Sequence, residues 1–203
     1  LGEVWAEGRK IPASEALARL GLAPLRLKSK EGLALINGTQ FMAAHAVHAL
    51  LRIQDLLKTA DLTAAMTLEA MRGSATPFDA RIHAARPHAG QQETADNVRR
   101  LLADSEILPS HLNCGKVQDP YSLRCVPQVH GAVRDAVRHA CATVETEINA
   151  ATDNPLVFPN GDVLSGGNFH GEPLAFALDY LAIATAKLAS ISCRSVSPCE
   201  ICD

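Results

Sequence analysis

Apolar positions recur at helical spacing along most of the chain. Between Thr39 and Arg72 there is no Gly or Pro, and two sets of residues step by three or four: Phe41, His45, His48, Arg52, Leu56, and Met42, Ala46, Leu50, Ile53, Leu57. That period predicts one long helix. Thr39 suits its N-cap and Gly73 its C′ stop. Apolar residues on more than one face predict a helix buried in a bundle. Further helices are expected over about His88–Asp104, over Pro127–Asn149 with Pro127 in the first turn, and over Gly171–Ser192. Residues 1–36 read as irregular apart from a short helix from Pro12 to Leu20 and an extended piece from Leu22 to Leu27. Residues 73–88 and 105–126 read as loops. Leu156-Val157-Phe158 and Val163-Leu164 flank Asn160-Gly161, the pattern of a β-hairpin. The expected fold is mainly α, a long-helix bundle with a small β-hairpin near 156–164.

Composition narrows the function classes. The 203 residues are 47% hydrophobic and 20% charged, as in a soluble globular chain rather than a disordered one. The net charge of −3, from 19 basic and 22 acidic side chains, and the lack of any Lys/Arg cluster argue against nucleic-acid binding. The most apolar stretch, Leu174–Ile191, is interrupted by Asp179 and Lys187, so no membrane span is expected. Glu3, Glu7, Arg9 and Lys10 rule out a signal peptide over the first residues. Leu1-Gly2-Glu3 reads as the middle of a longer chain. The cysteines are Cys114, Cys125, Cys141, Cys193, Cys199 and Cys202. With no secretory signal they are expected to be reduced.

Candidate chemistry sits in the connections. Loops this long within a helical bundle are commonly functional. Asn37, just before the long helix, can offer its amide to a ligand beside the helix start, or simply form an Asx turn. Gln118, Tyr121 and Arg124 put an amide, a phenol and a guanidinium within seven residues. Arg suits bidentate binding of a carboxylate, and Tyr can move a proton. A structural Arg on an exposed turn would look the same in sequence. In Gly166-Gly167-Asn168-Phe169, the glycines allow close backbone approach and Phe169 can pack on a planar group, or the segment is a plain linker. Metal binding is not expected. His83, His88, His111 and His130 lack the spacing of a zinc site, and His45 and His48 have no third ligand. Cys199-Glu200-Ile201-Cys202 is a CxxC without a second pair or a βαβ setting. There is no nucleophile elbow and no phosphate loop.

Three strings occur together and in order: GLALINGTQ (32–40), KVQDPYSLRCVPQVHGA (116–132), and TDNPLVF (152–158) followed by VLSGGNFHGEP (163–173). They closely resemble the aromatic amino acid ammonia-lyase family, nearest its histidine branch, over about residues 1–192. The resemblance implies the long-helix bundle of the ammonia-lyase/fumarase-like type. It also implies a cytoplasmic homotetramer whose active sites are shared between subunits, with no nucleic-acid or membrane partner. The implied reaction is elimination of ammonia from L-histidine to give urocanate. The implied electrophile is a methylidene-imidazolone (MIO) ring made from an internal Ala-Ser-Gly, with no metal. By motif, Asn37 and Phe169 resemble residues beside the electrophile. Gln118 and Tyr121 resemble the active-site Gln and Tyr, and Arg124 resembles the Arg that holds the substrate carboxylate.

Three departures from the family pattern limit the resemblance. No Ala-Ser-Gly occurs in the 203 residues; Ser165-Gly166 comes after Leu164. The family's base Tyr and one imidazole-binding His lie upstream of the matched part, and a further acid lies downstream. Residues 193–203 (CRSVSPCEICD) leave the family pattern and read as a divergent tail. The 203 residues alone are therefore expected to be inactive. Alternatives are a tyrosine or phenylalanine ammonia-lyase, an aminomutase, or a non-catalytic helical scaffold derived from the lyase. The expected long helices, about 50 Å and about 35 Å at 1.5 Å per residue, carry Asn37 and Arg124 to distant points of one chain. These two residues are expected to meet only across a subunit boundary.

Overall fold

Strand β1 (Glu3–Ala6) pairs antiparallel with β2 (Arg9–Pro12), Val4 opposite Ile11 and Trp5 opposite Lys10. In this computed structural model, which describes residues 2–112, 115 and 117–195, the turn between the strands holds Glu7 and Gly8 at φ 51° and 74°. Two successive positive φ values match the twist of a tight hairpin. The irregular structure expected here is therefore corrected to a hairpin. Its strand residues are all exposed or half-exposed, so no buried face imposes the alternation by which a strand is read. Helix α1 (Ala13–Arg19) forms where expected, with Arg19 donating to Glu15 at 2.7 Å. Residues 22–28 form no regular element, and α2 (Glu31–Ala34) is a single turn. Residues 1–37 form one compact unit and residues 38–203 a second.

The second unit is built on α3 (Gln40–Ala70). Its end differs from the sequence expectation. Arg72, not Gly73, takes the left-handed conformation, at φ 50°. Gly73 N–H donates to the Leu68 carbonyl at 2.8 Å and Arg72 N–H to that of Glu69 at 2.9 Å, the paired bonds of a Schellman stop displaced by one residue. Gly73 serves close packing instead, since a Cβ there would lie 2.5 Å from Leu68 Cδ1 and 3.3 Å from Asp119 Oδ2. The start falls at Thr39, the expected N-cap position, but without the side-chain bond of a cap. The buried Thr39 hydroxyl makes no cap bond and donates to Glu147 at 2.7 Å.

The loop expected over 73–88 contains a 3-10 turn (Thr76–Phe78) and α4 (Ala80–Ala84), capped by Asp79, whose carboxylate accepts from Arg81 N–H. Helix α5 (Ala89–Leu101) comes next. The loop expected over 105–126 holds a 3-10 turn (Pro109–His111) and the one-turn α6 (Tyr121–Arg124). Helix α7 (Val126–Glu147) has Pro127 in its first turn, where the missing N–H costs nothing. Strands β3 (Leu156–Val157) and β4 (Val163–Leu164) form the expected hairpin, and α8 (Glu172–Ser195) closes the described chain.

Helices α3, α7 and α8 share one core. Leu50, Ile53 and Leu57 meet Val133, Val137 and Ala140, with Leu174, Leu181 and Leu188. A second cluster joins Leu68, Phe78, Val98, Leu102, Leu123 and Val126. Helices α5 and α7 cross in direct backbone contact: a Cβ on Gly131 would overlap the backbone N and Cα of Gln91, and one on Gly90 the carbonyl of Gly131. Only one stripe of α3 is buried within this chain, and Phe41, Leu51, Leu56 and Met66 remain exposed. Helix α8 has a mean hydropathy of 1.5 and is long and apolar enough to cross a membrane by those measures, despite Asp179 and Lys187. Its stripe Leu174, Ala177, Leu181, Ala184, Leu188, Ile191 is buried in the bundle, while the larger part of its apolar surface is not covered within this chain.

Candidate active site

The segment leading into α6 is tied to the end of α3 through Asp119. Its buried carboxylate accepts from Ser74 N–H at 2.6 Å, and its backbone carbonyl accepts from Arg124 Nε at 2.8 Å. One residue thus joins the segment to the bundle and orients the Arg. The clamp on Arg124 is a neutral carbonyl, and among the described residues no carboxylate pairs with its guanidinium. Arg124 lines a cleft of 500 Å³ with Ser74, Thr76, Gln118, Cys125 and Gln128. A cation held in place by a neutral group keeps its charge for an anion that enters, and its planar fork suits a carboxylate.

Two of the residues singled out from the sequence therefore share this cleft: Gln118, exposed, and Arg124, half-buried. Tyr121 and Phe169 do not line it. Tyr121 opens α6 behind Pro120 and is 55% exposed. Phe169 is 43% exposed on the strip before α8. That strip is anchored by side-chain amides. Gly166 N–H and the Ser165 hydroxyl donate to Asn154 Oδ1 at 2.6 and 3.2 Å, and Asn168 Nδ2 donates to the Ala151 carbonyl at 3.3 Å. Asn37, half-buried, closes the first unit, its N–H donating to the Leu33 carbonyl at 2.8 Å.

Sequence reasoning missed two buried polar constellations. In the first, Asp61 on α3 accepts from His130 Nδ1–H at 2.9 Å, from Asn97 Nδ2 at 2.8 Å, and from Arg134. Arg134 also donates through Nε to Thr94 at 3.0 Å and through Nη1 to Glu93 at 3.2 Å. The network bolts α3, α5 and α7 together. Its sequence signal was Asp61 standing within the apolar stripe of Leu57, Ala60, Ala64 and Leu68, with His130 and Arg134 four apart on α7. In the second, His83 is 1% exposed, with Nε2 3.0 Å from the Pro77 carbonyl and Nδ1 3.0 Å from Gln91 Nε2. These partners fit a neutral ring that donates at Nε2 and accepts at Nδ1. Burial pushes its pKa below the ordinary histidine value, against the opposing bond to Pro77. Among the described residues no three His, Cys, Asp or Glu side chains gather to hold a metal. The CxxC at 199–202 and Cys114 lie outside the described residues.

A family model described as aromatic amino acid lyase matches residues 1–198. The chain is 50% identical over 208 residues to a protein named histidine ammonia-lyase from Koribacter versatilis, covering 96% of this chain and 40% of that one. It is 56% identical over 194 residues to one of the same name from Anaeromyxobacter dehalogenans, covering 94% and 38%. Among solved structures, tyrosine aminomutase from Streptomyces globisporus superposes with a TM-score of 0.87 at 40% identity, covering 96% of this chain and 40% of that one. Histidine ammonia-lyase from Trypanosoma cruzi superposes with a TM-score of 0.82 at 45% identity, covering 93% and 35%. The chain thus spans about 40% of the length of the curated relatives it matches. With the long-helix bundle, the motif-bearing connections and a match across residues 1–198, this chain belongs to the aromatic amino acid lyase family.

Proposed function

We propose that this chain carries part of the site of an ammonia-lyase that converts L-histidine to urocanate and ammonia. The observation that carries the reading is Arg124: a guanidinium clamped by a neutral carbonyl, without an acidic partner, in a cleft it shares with the amide of Gln118. That arrangement fits the carboxylate of an α-amino acid. Histidine is favoured over tyrosine because the curated relatives are named histidine ammonia-lyase at 50–56% identity and, among the solved structures, histidine ammonia-lyase is 45% identical against 40% for the tyrosine aminomutase.

In this reading Arg124 fixes the carboxylate, which aligns the reacting carbons and removes rotational freedom before the chemical step. Gln118 hydrogen-bonds the substrate beside it. The exposed phenol of Tyr121 exchanges a proton, and Asn37 steadies developing charge. The family resemblance implies the MIO ring, which, once formed from an Ala-Ser-Gly that the 203 residues do not contain, would supply an electron-poor carbon that improves the amine as a leaving group. Phe169 fits beside such a planar group. Its ring is part-exposed, and Gly166 and Gly167 border open space in which a Cβ would touch nothing within 4 Å.

Assembly into a cytoplasmic tetramer with shared sites belongs to the same proposal. Phe176, Tyr180 and Ile183 form an exposed apolar row on α8, and Phe41, Leu51, Leu56 and Met66 are exposed on α3. Rows of this kind favour burial against further copies of the chain. Asn37 of one copy is proposed to serve the Arg124 of another. The test is ultraviolet detection of urocanate from the full-length, assembled enzyme given L-histidine. Urocanate formation is expected. Ammonia release from L-tyrosine or L-phenylalanine alone would move the assignment to those substrates, and no release from any of the three would remove it. The 203 residues by themselves, without Ala-Ser-Gly, are expected to form no urocanate.

A further inference from the structure

Gln128 stands in the first turn of α7, four residues after Arg124, and lines the same cleft. Its Oε1 is buried and is the one such side-chain atom without a hydrogen-bond partner among the described residues. No described residue bonds its Nε2 either. A buried carbonyl oxygen left without a donor is costly, and native proteins rarely leave one so. The rest of the cleft wall is accounted for: Asp119 is occupied by Ser74 and Arg124, and Ser74 donates to Thr76. Gln118 is exposed to solvent, which leaves Gln128 Oε1 as the buried side-chain atom of the cleft wall with nothing to hold.

We infer that Gln128 is a ligand-binding residue whose side-chain carbonyl accepts a hydrogen bond from the α-ammonium group of the amino acid held by Arg124. Arg124 ends α6 and Gln128 lies in the first turn of α7, with Cys125 between the two helices, and both side chains line the one cleft. An α-amino acid presents its anion and its cation from one carbon. A guanidinium and a bare carbonyl lining one cleft match that pair, the cation donor meeting the carboxylate and the neutral acceptor meeting the ammonium. An amide held at neither end can turn about its last side-chain bond without breaking a hydrogen bond. A donor arriving in the cleft then gains one that is charge-assisted. Gln128 thereby sets a preference for an amino acid over the same acid without its amine. The inference rests on the proposed amino-acid site.

The test compares L-histidine with its des-amino analogue, 3-(imidazolyl)propionate, by calorimetric titration of the full-length assembled enzyme. In that enzyme the Ser of the Ala-Ser-Gly implied by the family resemblance is replaced by Ala, so that histidine binds without being turned over; this background is the wild type of the comparison. Wild type, Gln128→Leu and Gln128→Glu are titrated, each checked by thermal unfolding. In Gln128→Leu, affinity for histidine is expected to fall about tenfold or more, the scale of one charge-assisted hydrogen bond, while affinity for the analogue holds. Gln128→Glu keeps an acceptor and is expected to restore the preference for histidine. An equal loss for both ligands, or no loss in either, would overturn the inference and leave the oxygen to water or to packing. If wild type binds neither histidine, tyrosine nor phenylalanine, the amino-acid site itself fails and the inference with it. If it binds only tyrosine or phenylalanine, the same ratio taken with that amino acid and its des-amino analogue decides Gln128 independently of substrate identity.

Discussion

Arg134 and Arg124 lie on successive elements of one unit, ten residues apart, and have opposite surroundings. Arg134 is buried and fully engaged, with Asp61, Glu93 and Thr94 around its guanidinium. Arg124 is half-buried and engaged once, at Nε, by a carbonyl without charge. An arginine whose donors end on the protein's own carboxylates has its charge neutralised and works as a fastener. An arginine oriented by a neutral group stays available for a ligand. The two are indistinguishable as residue types, and only their partners assign them.

The largest effect that would break this contrast comes from the fastened side. Asp61→Ala leaves Arg134 buried without its main counter-charge and His130 Nδ1–H without an acceptor. A loss of about 3–5 kcal/mol of stability is expected, the range for removing one partner of a buried pair, read from urea unfolding. A loss under about 1 kcal/mol, the scale of a surface pair, would mean that the network holds nothing together.

Arg124→Ala should do the reverse, sparing the fold and damaging the site. In the full-length enzyme, catalytic efficiency should drop by the equivalent of about 2–5 kcal/mol, by analogy with broken charge-pair contacts, with the unfolding midpoint nearly unchanged. Retained efficiency would place Arg124 among the structural arginines.

A smaller effect sharpens the packing side. Gly131→Ala pushes a methyl into the Gln91 backbone, which cannot move aside without shifting α5 against α7. About 1–3 kcal/mol of destabilisation is expected from overpacking. Because this crossing also aligns Arg134 with Thr94, the double variant with Asp61→Ala should lose less than the sum of the two changes. Strict additivity would separate the crossing from the network.

The smallest effect is pH-dependent and belongs to His83. Its folded pKa lies below the unfolded value of about 6.5, so the unfolded chain binds more protons between the two. Its contribution to stability is therefore complete above about pH 6.5 and declines as pH falls through that value toward the folded pKa. His83→Gln should reduce the difference in stability measured on the two sides of that window. An unchanged difference would assign the acid sensitivity to other groups.

Much of the helical frame was legible because helices announce themselves in the chain. The period of α3, the gap in Gly and Pro, and Pro127 at a helix start are local signals, and the observed bounds fall within a few residues of those expected. The hairpin at 156–164 was legible from its turn for the same reason. The β1–β2 hairpin was not, because exposed strands carry no two-residue alternation. Gly73 suited a stop by composition, but the stop formed one residue earlier and the glycine was needed for Leu68 and Asp119. Those contacts are set by residues five and forty-six positions away. Of the candidate site, the types and spacing of Gln118, Tyr121 and Arg124 stood in the sequence. Asp119, which orients Arg124, looked like an ordinary loop acid.

What the sequence determined by itself was where the chain is helical, which connections bear chemistry, and, through three long strings in order, the family to which it belongs. These come from local propensity and from motif identity, neither of which needs a partner in space. What only the tertiary structure decided was which charges are spent and which are free. It buried Asp61 among Arg134, His130 and Asn97, tied Arg124 to a neutral carbonyl, and left Gln128 Oε1 without a donor in the same cleft. A side chain's chemistry is set by what surrounds it. The neighbours of Asp61 come from residues tens of positions apart that meet only when the helices pack, and the carbonyl that orients Arg124 lies five residues back, on a residue whose carboxylate meets Ser74 forty-five positions away.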